Sequence, residues 1–270
     1  MSPTSMIIAG LTASGAGGLS VDFAAHTARQ VRAFPILTCS IALPPKGEVQ
    51  KLVVPAQHLS AQMWASFAAA GQLDAIQTGL LGSAENLHAT ADFLREQSTQ
   101  PGGTQNIVID PVLFFKSGSA PKENEKTIRD LKTELLPLGR IITPNLSEAQ
   151  LLAGREVTGQ ADLNELKELA RQLGEETGRG VLVKGGMRLS GPEAADVYYE
   201  GGDLHVLSDP KIGDQPVNGT GCTLASLITV GLAQGQEPLD AVEQARAQVR
   251  AALACPRPTG LEFDTISLLP

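Results

Sequence analysis

Cysteine is scarce. Cys39, Cys222 and Cys255 are the only three in 270 residues, widely spaced and without a Cys-x-x-Cys pair. An odd, unpatterned set excludes a disulfide framework and a cysteine-built zinc site, and it is the usage expected of a reduced, cytoplasmic protein. Long apolar runs are missing as well: the longest, such as residues 107–115, are broken by Asp or Pro. They fall short of the roughly 20 residues that a membrane-spanning helix needs. The amino-terminal MSPTSMIIAG has no basic residue ahead of its apolar stretch, so it predicts a first strand rather than a secretion signal. Clustered Lys and Arg are also lacking, with 21 Lys+Arg against 29 Asp+Glu and a net charge of −8. That balance excludes broad capture of a nucleic-acid backbone. Finally, the loop from Gly10 to Gly18 fails the G-x-G-x-x-G spacing, and the chain has no G-x-x-x-x-G-K-[ST]. Any use of ATP therefore requires another architecture.

What is present is an alternation. Short β-like apolar runs at 6–10, 36–43, 75–80, 106–111, 140–143, 180–184, 195–199 and 204–208 alternate with amphipathic stretches. The latter, at 19–33, 57–70, 84–97, 123–136, 146–153, 162–177, 220–234 and 238–254, predict helices. Buried strands alternating with helices imply a three-layer α/β/α fold around a mostly parallel sheet. The last two strands, joined through Glu200-Gly201-Gly202-Asp203, predict an antiparallel hairpin at one sheet edge. No low-complexity run or internal repeat divides the chain, so a single domain over 1–270 is expected.

In open α/β sheets, ligands gather where strands end and helices begin. Asn218-Gly219-Thr220-Gly221-Cys222-Thr223 opens an apolar helix. Its glycines let the backbone approach a ligand, its first-turn amides and helix dipole suit a phosphate or oxyanion, and the same field favours a thiolate at Cys222. The plainer alternative is a glycine-rich loop capping a buried helix, with Cys222 a small hydrophobe. Asn145 and Glu148, in Thr143-Pro144-Asn145-Leu146-Ser147-Glu148, fall on one face of a first helical turn. They are candidates for a hydrated Mg²⁺ or its phosphate, or simply for a helix cap with an acid in the first turn. Asp110 ends an apolar strand and is followed by Lys116-Ser117-Gly118, while Lys184 precedes Gly185-Gly186 at another strand end. His26, His58, His88 and His205 show no ligand-like spacing, and Trp64 is expected to pack rather than stack on a ligand.

Taken in order, these segments resemble the hydroxymethylpyrimidine/phosphomethylpyrimidine kinase family, a branch of the ribokinase-like superfamily that also holds pyridoxal kinases. The resemblance runs from about Ile7 to Gly235 and is most specific at Gly219-Thr220-Gly221-Cys222-Thr223, where relatives elsewhere in the superfamily carry Asp in place of Cys. Leu80-Leu81-Gly82-Ser83, Val108-Ile109-Asp110-Pro111, Lys116-Ser117-Gly118, the Thr143 to Ala149 segment and Leu182-Val183-Lys184-Gly185-Gly186 also match. The resemblance implies a ribokinase-like fold, a homodimer, and phosphoryl transfer from Mg-ATP to a hydroxymethyl group, in many members followed by a second transfer onto the resulting phosphate. It makes Cys222 the catalytic base and the amides of Gly219, Thr220 and Gly221 the anion hole. It assigns Lys184, Lys116, Asn145 and Glu148 to the nucleotide, and Asp110, Asn145 and Glu148 to Mg²⁺, mostly through water.

The substrate side departs from the family pattern. Thr12-Ala13 stand where an acid is usual, and Gly15-Ala16-Gly17-Gly18 replace a Gly-Gly-Ala-Gly run. Leu43 falls where a Gln reads the aminopyrimidine ring, Gln77 where Lys is frequent, and Asn218 and Met187 where His is common. Gly17, Asp22 and Leu43 are the substrate-side positions the resemblance points to, with an exposed first-turn acid as the alternative for Asp22. The expected substrate is hydroxymethylpyrimidine or its monophosphate in thiamine synthesis. The alternatives are a pyridoxal-type vitamer, another small hydroxymethyl compound, or a non-catalytic nucleotide-binding regulator.

Overall fold

A computed structural model describes residues 2–42, 44, 48–113, 125–158, 160–213, 217–259 and 264–268. Leu43 and Lys116 lie outside these, so their expected roles have no structural counterpart here. The strands are β1 (Thr4–Thr12), β2 (Arg32–Ala42), β3 (Gln50–Val53), β4 (Ala75–Thr78), β5 (Ile107–Ile109), β6 (Ile141–Ile142), β7 (Gly180–Lys184), β8 (Glu193–Glu200), β9 (Asp203–Pro210), β10 (Arg257–Pro258) and β11 (Asp264–Thr265). Nine of them form one sheet in the order β3-β2-β1-β4-β5-β6-β7-β8-β9. From β2 through β7 the neighbours run parallel, and β3 and the β8–β9 hairpin add antiparallel edges. Gly201 (φ 61°) and Gly202 (φ 104°) close the hairpin in the left-handed backbone that a two-residue turn requires.

Strand alternation splits the core into two layers. Ile107, Ile109, Ile142, Val181 and Val183 face one cluster, whereas Val108, Ile141 and Leu182 face the other. The helices are α1 (Leu19–Ala28), α2 (Ala56–Ala70), α3 (Ala84–Gln97), α4 (Glu125–Asp130), α5 (Leu146–Leu152), α6 (Leu163–Thr177), α7 (Thr220–Ala233) and α8 (Pro238–Leu253). Buried residues of α2, α3, α5 and α6 join the first cluster, and those of α1, α7 and α8 the second. The three-layer α/β/α arrangement with a mostly parallel sheet and an edge hairpin is therefore the observed one. Trp64 packs edge-on against Phe67 and Phe93, with ring centroids 5.8 and 4.9 Å away. No helix among the described residues is long and apolar enough to cross a membrane.

Two expected helices end differently. The stretch 19–33 stops at Ala28, because Gln30 takes a left-handed φ of 59° and Arg32 must already pair with Thr4 in the sheet. Near 123–136, α4 passes into a π-helical turn (Leu131–Leu135) and a 3₁₀ turn (Leu136–Leu138). Pro137 has no N–H to continue an α-helix. Three short strands were not anticipated. The polar β3 pairs with β2 at the sheet edge, and β10 pairs with β11 in the carboxy-terminal segment. That segment packs back on the domain: Asn218 N–H donates to Asp264 O at 2.9 Å, Ile266 N–H to Asn218 O at 3.0 Å, and Ile266 is buried.

Gly174, inside α6, gives a test of the packing. A methyl group there would lie 2.0 Å from Cδ1 of the Tyr199 ring, which is itself in the core. Helix propensity alone favours Ala over Gly by about 1 kcal/mol, whereas overpacking costs about 1–3 kcal/mol. Gly174→Ala is therefore expected to lower the thermal midpoint, and a raised midpoint would show that the α6–β8 contact yields.

Candidate active site

Several loops meet at the carboxyl edge of the parallel strands. Asp110, just past β5, is buried, and its Oδ1 accepts from the Lys184 ammonium at the end of β7 (2.8 Å) and from Thr143 Oγ1 past β6 (3.0 Å). One carboxylate thus ties together the ends of three neighbouring strands. Lys184 keeps its proton: burial alone would pull its pKa down, but Asp110, Glu148 and Cys222 together raise it. The ammonium sits against the start of α7, since a Cβ on Gly221 would be 3.4 Å from Nζ.

The α7 N-terminus is built on Gly219. Its φ of 81° is left-handed, and a Cβ there would lie 2.9 Å from Ala16 O and 3.1 Å from Ile266 Cγ2. Glycine is required twice over, by backbone and by space. No side chain caps this helix, so its amide dipoles present positive potential at the edge where Lys184 ends. Thr220 Oγ1 is turned back onto Val217 O at 2.7 Å, leaving the backbone rather than the hydroxyl as what Thr220 offers. Cys222 is half-buried in the same turn. Gly17 lies in the loop that carries Ala16 against Gly219; Gly18, two residues before Ser20, is pinned with a φ of 62°, because a Cβ there would meet Gly10 O at 2.2 Å.

Asn145 and Glu148 form a capping box at the start of α5. The Glu148 N–H donates to Asn145 Oδ1 at 3.1 Å and the Asn145 N–H to Glu148 Oε2 at 2.8 Å. The plain helix-cap alternative is thus realised, yet it also buries the Glu148 carboxylate beside Asp110 and Lys184. Burial pushes its pKa up to about 7, with Lys184 opposing and Asp110 reinforcing the shift. Asn145 Oδ1 further accepts from Arg188 Nη1 at 3.2 Å, and Ser147 Oγ from the same nitrogen at 2.9 Å. Asn145 Oδ1 thus already accepts two hydrogen bonds, which leaves Glu148 and Asp110 as the oxygen donors that fit direct contact with a hard cation such as Mg²⁺ and Asn145 at most a contact through water. Arg188 was missed by sequence reasoning; its only signal was a cation four residues after Lys184.

Asp22 overturns the alternative of an exposed first-turn acid. It is buried between α1 and α7, its Oδ1 accepting from Ser226 Oγ at 2.8 Å. Burial pushes its pKa up to about 8, with Ser226 opposing, Asp110 reinforcing and Gln77 opposing. Nearby His26 is buried, its Nδ1 2.8 Å from Asp22 O, and burial pushes it down to about 4. Gln77, also buried, has an Oε1 with no hydrogen-bond partner. A cleft of about 230 Å³ opens beside Asp110, walled by Leu80, Leu81, Leu87, Pro111, Leu113 and Leu131. Away from this edge, His88 meets Asp130 and Glu134, a grouping without sequence spacing to betray it. Those carboxylates are already paired with Lys126 and Arg95.

The comparisons with known proteins agree with this geometry. The profile of the family described as phosphomethylpyrimidine kinase matches residues 12–266. The hydroxymethylpyrimidine/phosphomethylpyrimidine kinase of Rhizobium meliloti (strain 1021) is 34% identical over 256 residues, 94% of this chain and 91% of that protein. The pyridoxine kinase of Bacillus subtilis (strain 168) is 29% identical over 250 residues, 92% of this chain and 89% of that one. Among solved structures, an ADP complex of Bacillus subtilis pyridoxal kinase is similar with a TM-score of 0.88 at 26% identity, covering 99% and 97% of the two chains. A phosphomethylpyrimidine kinase from Clostridium difficile 630 follows with a TM-score of 0.76 at 26% identity, covering 94% and 100%. The fold is thus the ribokinase-like one, and the chain belongs to the phosphomethylpyrimidine kinase family of phosphotransferases.

Proposed function

We propose that this protein transfers the γ-phosphoryl group of ATP to the hydroxymethyl group of hydroxymethylpyrimidine, to the phosphate of its monophosphate, or to both, in thiamine biosynthesis. The observation that carries the reading is the convergence of Asp110, Lys184 and Cys222 at the uncapped start of α7. Phosphoryl transfer asks mainly for positioning and for neutralisation of charge spread over the moving oxygens. The amides of Gly219, Thr220 and Gly221 would receive those oxygens, and the Lys184 ammonium would meet the nucleotide phosphates. Lys116 is part of the same reading, as a cation closing over the transferred group. The Cys222 thiolate would take the hydroxyl proton as the new O–P bond forms and the bond to ADP breaks. Asp110 and Glu148 would hold Mg²⁺, with Asn145 reaching it through water; bound there, the ion would neutralise charge on the phosphates. Gly17, Asp22 and Leu43 would shape the substrate side, Asp22 from beneath through its bond to Ser226.

A second substrate class, pyridoxal-type vitamers, is favoured by the similarity to the Bacillus subtilis pyridoxine kinase and to the ADP complex of its pyridoxal kinase. A cytoplasmic homodimer working as a single domain completes the reading, supported by the family and by the lack of any disulfide among the described residues.

A coupled ADP-release assay with Mg-ATP tests it against hydroxymethylpyrimidine, its monophosphate, pyridoxal and pyridoxine. Turnover is expected with the pyrimidines; turnover confined to pyridoxal and pyridoxine would move the assignment to the second class. Cys222→Ala is expected to lower kcat by about 10²–10⁴-fold, the usual range for a general base. Nucleotide affinity should stay nearly unchanged and Cys222→Asp should retain part of the rate; an alanine variant at full rate would remove Cys222 from the mechanism.

Glu148 adds its own pH dependence to that of the Cys222 base. Its pKa is raised to about 7, so the charged form needed beside a cation is lost as pH falls through that value. The kcat/KM for Mg-ATP, followed across about pH 5 to 9, should fall on the acid side. Glu148→Gln should lower the plateau and remove the inflection near pH 7, leaving only the acid-side fall that the Cys222 base itself imposes; an unchanged inflection near pH 7 belongs to another group.

A further inference from the structure

A second buried ion cluster lies beside Lys184. Strands β7 and β8 pair so that Lys184 stands directly opposite Asp196. Leu182 and Tyr198 point into the α7–α8 core, and the two-residue period of a strand puts Lys184 and Asp196 on that same face. Directly opposed residues in an antiparallel pair are about 4.5–5.5 Å apart, so the lysine stem can bring its ammonium to either Asp110 or Asp196. It is on Asp110.

Asp196 is instead occupied by Arg246 of α8. Its Nε donates to Asp196 Oδ2 at 3.1 Å, its Nη2 to Ala194 O at 2.9 Å, and its Nη1 to Asp209 Oδ2. Arg250, one turn later, holds the same Asp209 through Nε at 3.3 Å. The other Asp196 oxygen accepts from the N–H of Gly185, the residue after Lys184, at 3.0 Å. Side-chain exposure of Arg246 and Asp196 is only 12% and 13%. Burial pushes the Asp196 pKa up and Arg246 opposes the shift. A carboxylate this enclosed needs a counter-charge, and the planar guanidinium fork supplies it in fixed geometry. Gly185 is closely packed and admits no side chain, since a Cβ there would lie 2.4 Å from Ala195 O and 2.5 Å from Leu166 Cδ2.

We propose that Arg246 and Asp196 are positioning residues for phosphoryl transfer: by occupying Asp196, Arg246 keeps the Lys184 ammonium on Asp110 at the α7 N-terminus. The inference rests on the reading of Lys184 as a ligand of the nucleotide phosphates. It goes beyond a tie between α8 and the β8–β9 hairpin, for which the contacts to Asp209 and Ala194 would suffice.

A double-mutant cycle on the full chain tests it, with KM for Mg-ATP, kcat, the directly measured Kd for Mg-ADP, and the thermal midpoint as readouts. Arg246→Met leaves Asp196 to recruit Lys184, so KM and Kd should rise about tenfold with kcat changed less than about threefold. Adding Asp196→Asn removes the competing charge and leaves an acceptor for Gly185. The double variant should return both constants to within about threefold of the parent, whatever its thermal midpoint. A purely structural role predicts a double variant at least as impaired as the single one, and that result, or an unchanged Kd in Arg246→Met, overturns the proposal. Arg246→Lys, which keeps the charge without the fork, poses the same question should Arg246→Met not fold; its smaller rise in Kd must also be reversed by Asp196→Asn. Lys184→Gln separates the two levels. If it leaves Kd for Mg-ADP unchanged, the reading of Lys184 itself fails; if it weakens binding while Arg246→Met does not, only the positioning role fails.

Discussion

The pair between Lys184 and Asp110 is the constraint on which the rest of the site depends. Two charges taken out of water must find each other, and removing one partner of a buried pair typically costs about 3–5 kcal/mol. Because the partners end β7 and β5, and Thr143 past β6 binds the same carboxylate oxygen, the pair links three neighbouring strand ends. The ammonium is then delivered to the start of α7, a helix that opens at a glycine and carries no side-chain cap. Glu148 is held beside the pair by its own helix cap, where burial raises its pKa against the opposing pull of Lys184.

The positions that match the family motifs and those that depart from them differ physically. Among the described residues, the matching Asp110, Lys184 and Gly219–Gly221 meet at the start of α7, where charge and backbone geometry leave little freedom. The altered positions are of another kind: Met187 is exposed, Asn218 acts through backbone bonds to the carboxy-terminal segment, and Gln77 is buried with an orphan acceptor. A buried acceptor without a donor is worth about 1–3 kcal/mol of penalty, which a substrate or a rearranged amide could relieve.

Much of this was legible from local pattern. The expected strand 180–184 and helix 84–97 match β7 and α3 residue for residue, because both carry unbroken periodicity between clear stops. The motifs at Asp110, Asn145, Lys184 and Gly219 were findable one by one, since each sits at a strand end or helix start. Their convergence came from family resemblance and from the parallel sheet, as no spacing rule links residues 110, 184 and 222. What stayed hidden is long-range. Asp22 reads as an exposed first-turn acid as readily as a pocket residue until Ser226, 204 residues away, covers it. Arg246 looks like one more basic residue on an amphipathic helix until the hairpin brings Asp196 to it, and β3 carries too little apolar pattern to stand out from a loop.

The central claim is that the α7 N-terminus and Lys184 form one phosphate site. A crystal structure of the Mg-ADP complex tests it most directly. The account predicts that the terminal phosphate lies within hydrogen-bond reach, about 2.7–3.2 Å, of the Gly219–Gly221 amides and of Lys184 Nζ. A nucleotide bound with its phosphates away from that helix start, and Lys184 unmoved from Asp110, would contradict it.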